Sequence, residues 1–93
     1  MISPEEIEQI LYRHPDVEEV AVIGLPDIQW GEIVTAVIKC KKDKYLTDVE
    51  ILALCNDKLA SFKRPGKIIF ISKLPRNSMG KILKKDLRDE FSV

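Results

Sequence analysis

The sequence is poor in the residues that build metal and redox sites. Its 93 residues contain one histidine, His14, and two cysteines, Cys40 and Cys55, with no CxxC spacing. A zinc site lacks ligands, so no metal site is expected, and both thiols are read as reduced and packed, with a bridge between them as the alternative. Aromatic residues are few and are not interleaved with the basic ones, which argues against a base-stacking platform and against nucleic acid as a partner. No apolar run approaches the length of a membrane span, and the first residues lack a basic stretch followed by an apolar one. No transmembrane segment is expected, and the reading is a cytoplasmic protein. Repeats, linkers and low-complexity segments are absent as well.

What is present suits one domain with one modest core. The net charge is zero, yet the charges are segregated. Up to Glu32 the acids, among them Glu5, Glu8, Glu18 and Glu19, are opposed only by Arg13. From Ser61 onward the bases, among them Lys63, Arg64, Arg76, Lys81, Lys84 and Arg88, outnumber Asp86, Asp89 and Glu90. The C-terminal third is a cationic end, suited to phosphate groups or simply to solvation.

Ser3 followed by Pro4, with Glu6 three residues on, predicts a capping box and a helix that Pro15 stops near His14. Ile7, Ile10 and Leu11 give it an apolar face. The stretches 17–25 and 33–40 are rich in Val and Ile and predict two antiparallel strands. The connection through Pro26, Asp27 and Gly31 is longer than a two-residue hairpin. Trp30 within it either plugs the edge of the core or faces another domain. Thr47 with Glu50 predicts a second capping box and a helix to about Ala60, its buried side marked by Val49, Leu52, Ala53, Cys55 and Leu59. Phe62 locks that end, Pro65 and Gly66 turn the chain, and 67–71 form a third strand. Ile82, Leu83, Leu87 and Phe91 suit a short final helix with Lys84, Lys85 and Arg88 solvated. The order α-β-β-α-β-α gives an α+β domain, a small three-stranded sheet covered by helices. A right-handed crossover that makes the third strand parallel to the second fits the third strand beside the first.

The most informative stretch is Leu74-Pro75-Arg76-Asn77-Ser78-Met79-Gly80-Lys81-Ile82. Pro75 ends the run before it, Asn77 and Ser78 favour turns through side-chain to backbone hydrogen bonds, and Gly80 accepts the positive φ of a tight loop. The loop delivers Lys81 at its exit. An ammonium there can meet a phosphate or a carboxylate, although an ordinary solvated turn has the same pattern. A Walker loop is excluded, because it needs glycine where Pro75 stands and Ser or Thr where Ile82 stands.

This stretch, continued by Lys84, Lys85, Leu87 and Arg88, resembles the closing motif of adenylate-forming (AMP-binding) enzymes, above all acyl- and aryl-CoA synthetases of the fatty-acid-CoA ligase type. Ile2-Ser3-Pro4-Glu5-Glu6-Ile7-Glu8, then Val20 to Asp27 with Trp30-Gly31-Glu32, then Phe62-Lys63-Arg64-Pro65 are similar to further motifs of that family. They follow its order and roughly its spacing. The resemblance spans nearly the whole chain but covers only the family's small, mobile C-terminal lid domain.

The resemblance implies a two-step ligase: a carboxylate attacks the α-phosphate of ATP to give an acyl-adenylate, and the thiol of coenzyme A then displaces AMP. Lys81 matches the family's lysine, with Pro75, Ser78 and Gly80 as its supporting loop. Its role is electrostatic, since an ordinary lysine stays protonated at neutral pH and makes a poor nucleophile or base. Gly24, Trp30, Gly31, Lys63 and Arg64 are candidates for coenzyme A or interdomain contacts, the last two from charge and turn position. ATP, Mg2+ and coenzyme A serve the full-length enzyme. Its phosphate loop, magnesium ligand and acid pocket belong to a large N-terminal domain, the expected partner, which with the hinge precedes this chain. The 93-residue chain alone is expected to be inactive and to bind none of these. The alternatives are a fragment of a nonribosomal-peptide adenylation domain and a non-catalytic interaction module.

Overall fold

The computed structural model describes residues 3–29, 31–59 and 64–92. Trp30, Phe62 and Lys63 lie outside the described residues, as does Ala60. Within them the order is α1 (Pro4–Leu11), β1 (Val17–Asp27), β2 (Gly31–Cys40), α2 (Asp48–Lys58), β3 (Lys67–Phe70) and α3 (Lys84–Phe91). This is the expected α-β-β-α-β-α order. No helix among the described residues is long and apolar enough to cross a membrane.

Strands β1 and β2 pair antiparallel from Val17 opposite Cys40 to Asp27 opposite Gly31, with a register irregularity between Val17 and Glu19. Side chains alternate across a strand, so this sheet buries two different sets. Val20, Val22, Ala36 and Ile38 face Ile7, Ile10 and Leu11 of α1 and Ile51 and Cys55 of α2. Ala21, Ile23, Leu25 and Val37 face Leu74, Leu87 and Phe91 on the other side. The sheet is therefore a middle layer, with α1 and α2 on one face and the 74–83 loop with α3 on the other.

The third strand corrects the expected order. It pairs parallel to β2, Thr35 to Ile38 against Lys67 to Phe70, and the sheet runs β1-β2-β3. The physical reason is that α1 closes the outer edge of β1. The Val20 N–H donates to the Tyr12 hydroxyl at 3.2 Å, that hydroxyl reaches the Val20 carbonyl at 3.4 Å, and the Val22 N–H donates to Glu8 Oε2 at 2.8 Å. An edge strand whose polar backbone groups are already bonded offers a new strand little to pair with. The far edge of β2 takes it instead.

Helix ends follow the sequence unevenly. Thr47 and Glu50 form the capping box reciprocally, Glu50 N–H to Thr47 Oγ1 at 3.2 Å and Thr47 N–H to Glu50 Oε1 at 3.1 Å. At α1 the box does not form: the Ser3 side chain makes no cap bond and its hydroxyl donates to Glu5. Pro4 still starts the helix, since its fixed φ suits the first turn and its missing N–H would be unpaired there. At the other end of α1 the His14 N–H donates to the Leu11 carbonyl at 3.1 Å, and its Nδ1 accepts the Asp16 N–H in the turn that follows. The buried side of α2 matches the expected one at Cys55 and Leu59 and departs from it at Val49 and Ala53. Ile51, Cys55 and Leu59 are buried at i, i+4 and i+8, whereas Val49 is 70% exposed and Ala53 is exposed. Val49 precedes Ile51 by two positions, about 200° round the helix, and so points away from the sheet.

Both cysteines are free thiols, Cys55 buried and Cys40 half-buried. Burial pushes the Cys55 thiol up, and the positive charge of Arg64 opposes that in part.

Candidate functional site

The 74–83 segment leaves the core at Leu74, which is buried, and re-enters through Ile82 and Leu83. Its stems are joined by an isolated antiparallel bridge between Arg76 and Ile82 and by the Leu83 N–H donating to the Pro75 carbonyl at 2.9 Å. Within the loop, Asn77 is the organiser. Its N–H donates to the Lys81 carbonyl at 2.9 Å, its carbonyl accepts the Gly80 N–H at 3.0 Å, and its side-chain Oδ1 accepts the N–H groups of Met79 at 2.9 Å and Lys81 at 3.0 Å. That is the turn chemistry an asparagine is suited to. Gly80 takes φ +83°, in the left-handed region that glycine tolerates, and Ser78 lies on the exposed turn.

Lys81 leaves this loop exposed and lines a cleft of about 530 Å³ with Asn77, Lys84, Lys85, Arg88 and Glu5. The cleft is cationic, but its charges are partly committed. Lys84 Nζ lies 2.9 Å from Glu8 Oε2, and Lys85 bridges Asp89 at 3.0 Å one turn on. Hydrogen bonding to Asp89 raises the Lys85 pKa. Glu5 is held below the usual carboxylate range, first by a backbone hydrogen bond, next by the Ser3 hydroxyl and more weakly by Lys84. The expectation that Lys84 is merely solvated is thus corrected: it joins α3 to α1. The acidic and basic thirds of the sequence meet here, through Glu8 with Lys84 and through Glu19 with Arg76.

The second set of sequence candidates lies at the opposite end of the sheet. Gly24 pairs with Val34, whose carbonyl accepts the Gly66 N–H at 2.8 Å, and Gly31 turns the chain between β1 and β2 at φ +79°. Arg64 is close by, on the C-terminal carbonyls of α2, with Nε donating to Leu59 at 3.2 Å and Nη2 to Asn56 at 3.5 Å. A cation there also complements the helix dipole. A cleft of about 470 Å³ borders this end, lined in part by Pro26, Gly31, Lys67 and Phe91. The row through Gly24 and the row through Glu19, where Arg76 docks, are five residues apart on β1, roughly 17 Å at strand spacing. The structure therefore groups Pro75, Ser78, Gly80 and Lys81 at one end and Gly24, Gly31 and Arg64 at the other. Trp30 and Lys63, expected with the second group, lie outside the described residues.

Asn77, Arg76, Glu8 and Glu19 are absent from the sequence-derived site, although each shapes it. Asn77 had a local signal in its spacing to Met79 and Lys81. Arg76 and Glu19 are 57 residues apart and had none beyond opposite charge. Among the described residues no cluster of three or more His, Cys, Asp or Glu side chains could hold a metal ion.

Comparison with known proteins gives this geometry its setting. The family described as "AMP-binding enzyme C-terminal domain" matches residues 6–81. The chain is 44% identical over 92 residues to the long-chain-fatty-acid–CoA ligase FadD13 of Mycobacterium tuberculosis, covering 99% of this chain and 18% of that protein. It is 45% identical over 89 residues to a 4-chlorobenzoate–CoA ligase of Arthrobacter, covering 95% of this chain and 17% of the relative. ATP-bound MatB from Rhodopseudomonas palustris superposes with a TM-score of 0.93 at 41% identity, covering 98% of this chain and 18% of that one. The chain thus spans less than a fifth of the length of these relatives. Its α+β fold, its motif order and these matches agree, and the chain belongs to the AMP-binding enzyme C-terminal domain family, whose members here are parts of acyl- and aryl-CoA ligases.

Proposed function

We propose that this chain is the C-terminal domain of an ATP-dependent acyl- or aryl-CoA synthetase, and that Lys81 is its adenylation lysine. The supporting observation is the fixed presentation of Lys81: its N–H and its carbonyl are both bonded to Asn77, and its side chain stands in a cationic cleft. Attack of a carboxylate on a phosphate brings two anions together. A cation held where their charge accumulates lowers that opposition most in the transition state. A preorganised loop supplies it without reorganisation during the reaction.

On this reading ATP, the carboxylic acid and coenzyme A are substrates met jointly with a large N-terminal domain in a cytoplasmic enzyme. A magnesium ion would belong to that large domain, since the described residues here offer no ligand cluster. Thioester formation would use the other end of the sheet, around Gly24, Gly31 and Arg64, with Trp30 and Lys63 in the adjoining segments. The separation of the two groups along β1 supports a domain that presents one end at a time.

Reconstitution tests this. The chain joined to its large domain is assayed for ATP–pyrophosphate exchange with a panel of carboxylic acids. Lys81→Ala is expected to lower exchange by a factor of hundreds, the order seen when one preorganised charge is removed. Unchanged exchange refutes the role of Lys81, and robust ligase activity of the 93-residue chain alone refutes the assignment as a partial catalytic unit.

A further inference from the structure

We propose that Arg76 is the positioning residue for Lys81, acting through the Gly80 carbonyl and anchored to the sheet by Glu19. This rests on the adenylation role of Lys81 and deepens it. The Arg76 guanidinium uses two nitrogens in two directions. Nη1 donates to the carbonyl of Gly80, and Nη2 pairs with Glu19 Oε1 on β1. The Gly80 carbonyl and the Lys81 N–H belong to one peptide group. Its oxygen is held by Arg76 and its N–H by Asn77 Oδ1 at 3.0 Å. With both polar atoms bonded, the peptide plane cannot rotate without breaking one of them. The direction in which the Lys81 side chain leaves the loop is therefore set.

The anchor matters as much as the clamp. Gly80 is conformationally permissive, and the tip of the loop is exposed, with Met79 at 90%. Left to local bonds, the turn would move as a unit relative to the domain. Glu19 ties it down. This carboxylate is 20% exposed and projects from the second residue after the start of β1, where the register irregularity lies. Lys84, paired with Glu8 at 2.9 Å, secures the other stem to α1, and Glu8 also accepts the Val22 N–H from the same strand. Both stems of the Lys81 loop are thus tied to one rigid reference, β1. A planar guanidinium can bridge a carbonyl and a carboxylate at once, which the single ammonium of a lysine does poorly. That requirement separates a positioning role from a simple surface ion pair.

The test compares Arg76→Ala, Arg76→Lys, Glu19→Gln and Lys81→Ala. In the reconstituted ligase, Arg76→Ala is expected to lower acyl-adenylate formation about 100-fold, the order expected for an ångström of misplacement. Thioester formation from supplied acyl-adenylate should stay at the wild-type rate. Arg76→Lys should restore little of the loss and Glu19→Gln should show an intermediate one. In the 93-residue chain, Arg76→Ala should speed hydrogen exchange at the Lys81 amide while leaving that of Val37 in the core unchanged.

Two outcomes overturn the inference alone: adenylation that survives Arg76→Ala while Lys81→Ala abolishes it, or equal loss of both half-reactions with faster exchange at Val37. Full rescue by Arg76→Lys overturns the carbonyl route. Normal adenylation by Lys81→Ala removes the role of Lys81 itself and the positioning proposal with it.

Discussion

The side-chain oxygen of Asn77 accepts the backbone N–H of Lys81 at 3.0 Å, closing a loop in which the same oxygen also holds Met79. One side chain thus substitutes for a second strand as the partner of the loop's backbone. Asn77→Ala removes that acceptor and is expected to lower adenylation about tenfold, equivalent to roughly 1.4 kcal/mol of lost loop order. Asn77→Ser keeps a side-chain acceptor oxygen without adding charge beside Lys81 and should retain part of the rate. Pyrophosphate exchange on the three proteins checks this; equal loss in both variants would show that the oxygen is not what matters.

Glu8 joins three elements, accepting the Val22 N–H at 2.8 Å and meeting Lys84 Nζ at 2.9 Å. Its side chain is only 16% exposed, so the bond to the strand is largely shielded from water. Glu8→Ala is expected to destabilise the domain by about 2 kcal/mol, the size of a hydrogen bond to a charged group. Glu8→Gln keeps a neutral acceptor for Val22 but loses the ion pair with Lys84 and the charge assistance of the strand bond, about 1 kcal/mol together. Urea unfolding of both variants measures the difference, and similar values for the two would assign the effect to the ion pair instead.

At Gly80 a Cβ would meet no atom within 4 Å, yet φ is +83°. Substitution there is therefore a test of backbone strain alone. Gly80→Ala should cost about 1–2 kcal/mol for the left-handed conformation, with Gly80→Asn costing less because asparagine visits that region more readily. Chemical denaturation of the chain reads the order.

Cys55 is buried in the core and its thiol is pushed up by that burial. The native state therefore holds the thiol proton at a pH where the unfolded chain has released it. Stability from this group is complete below the unfolded thiol's value of about 8.5 and falls as pH rises from there through the raised native value. Cys55→Ala should flatten that alkaline decline relative to wild type while lowering stability at neutral pH through the cavity it leaves. In the native protein a thiol reagent should modify half-buried Cys40 well before Cys55. Equal rates would contradict the packing of Cys55.

Sequence alone determined the elements and the loop that carries the candidate lysine. Val and Ile runs made β1 and β2, Pro4 and the Thr47–Glu50 pair started two helices, and Asn77 with Gly80 wrote the turn before Lys81. These are local effects, set by φ preferences and by side chains bonding their own neighbouring backbone. Tertiary structure decided what depends on residues far apart in the chain. The partner of β3 was chosen by Tyr12 and Glu8 occupying the edge of β1, and the buried side of α2 by which face of that helix the sheet presented to Ile51. The tethering of Lys81 was decided the same way. Arg76 and Lys84 read as two more charges of a solvated cationic end, and only the packing of α3 and the loop against β1 and α1 put Glu19 and Glu8 within their reach. An ion pair has no sequence signature across such separations, because its geometry exists only once the core that brings the two segments together has formed.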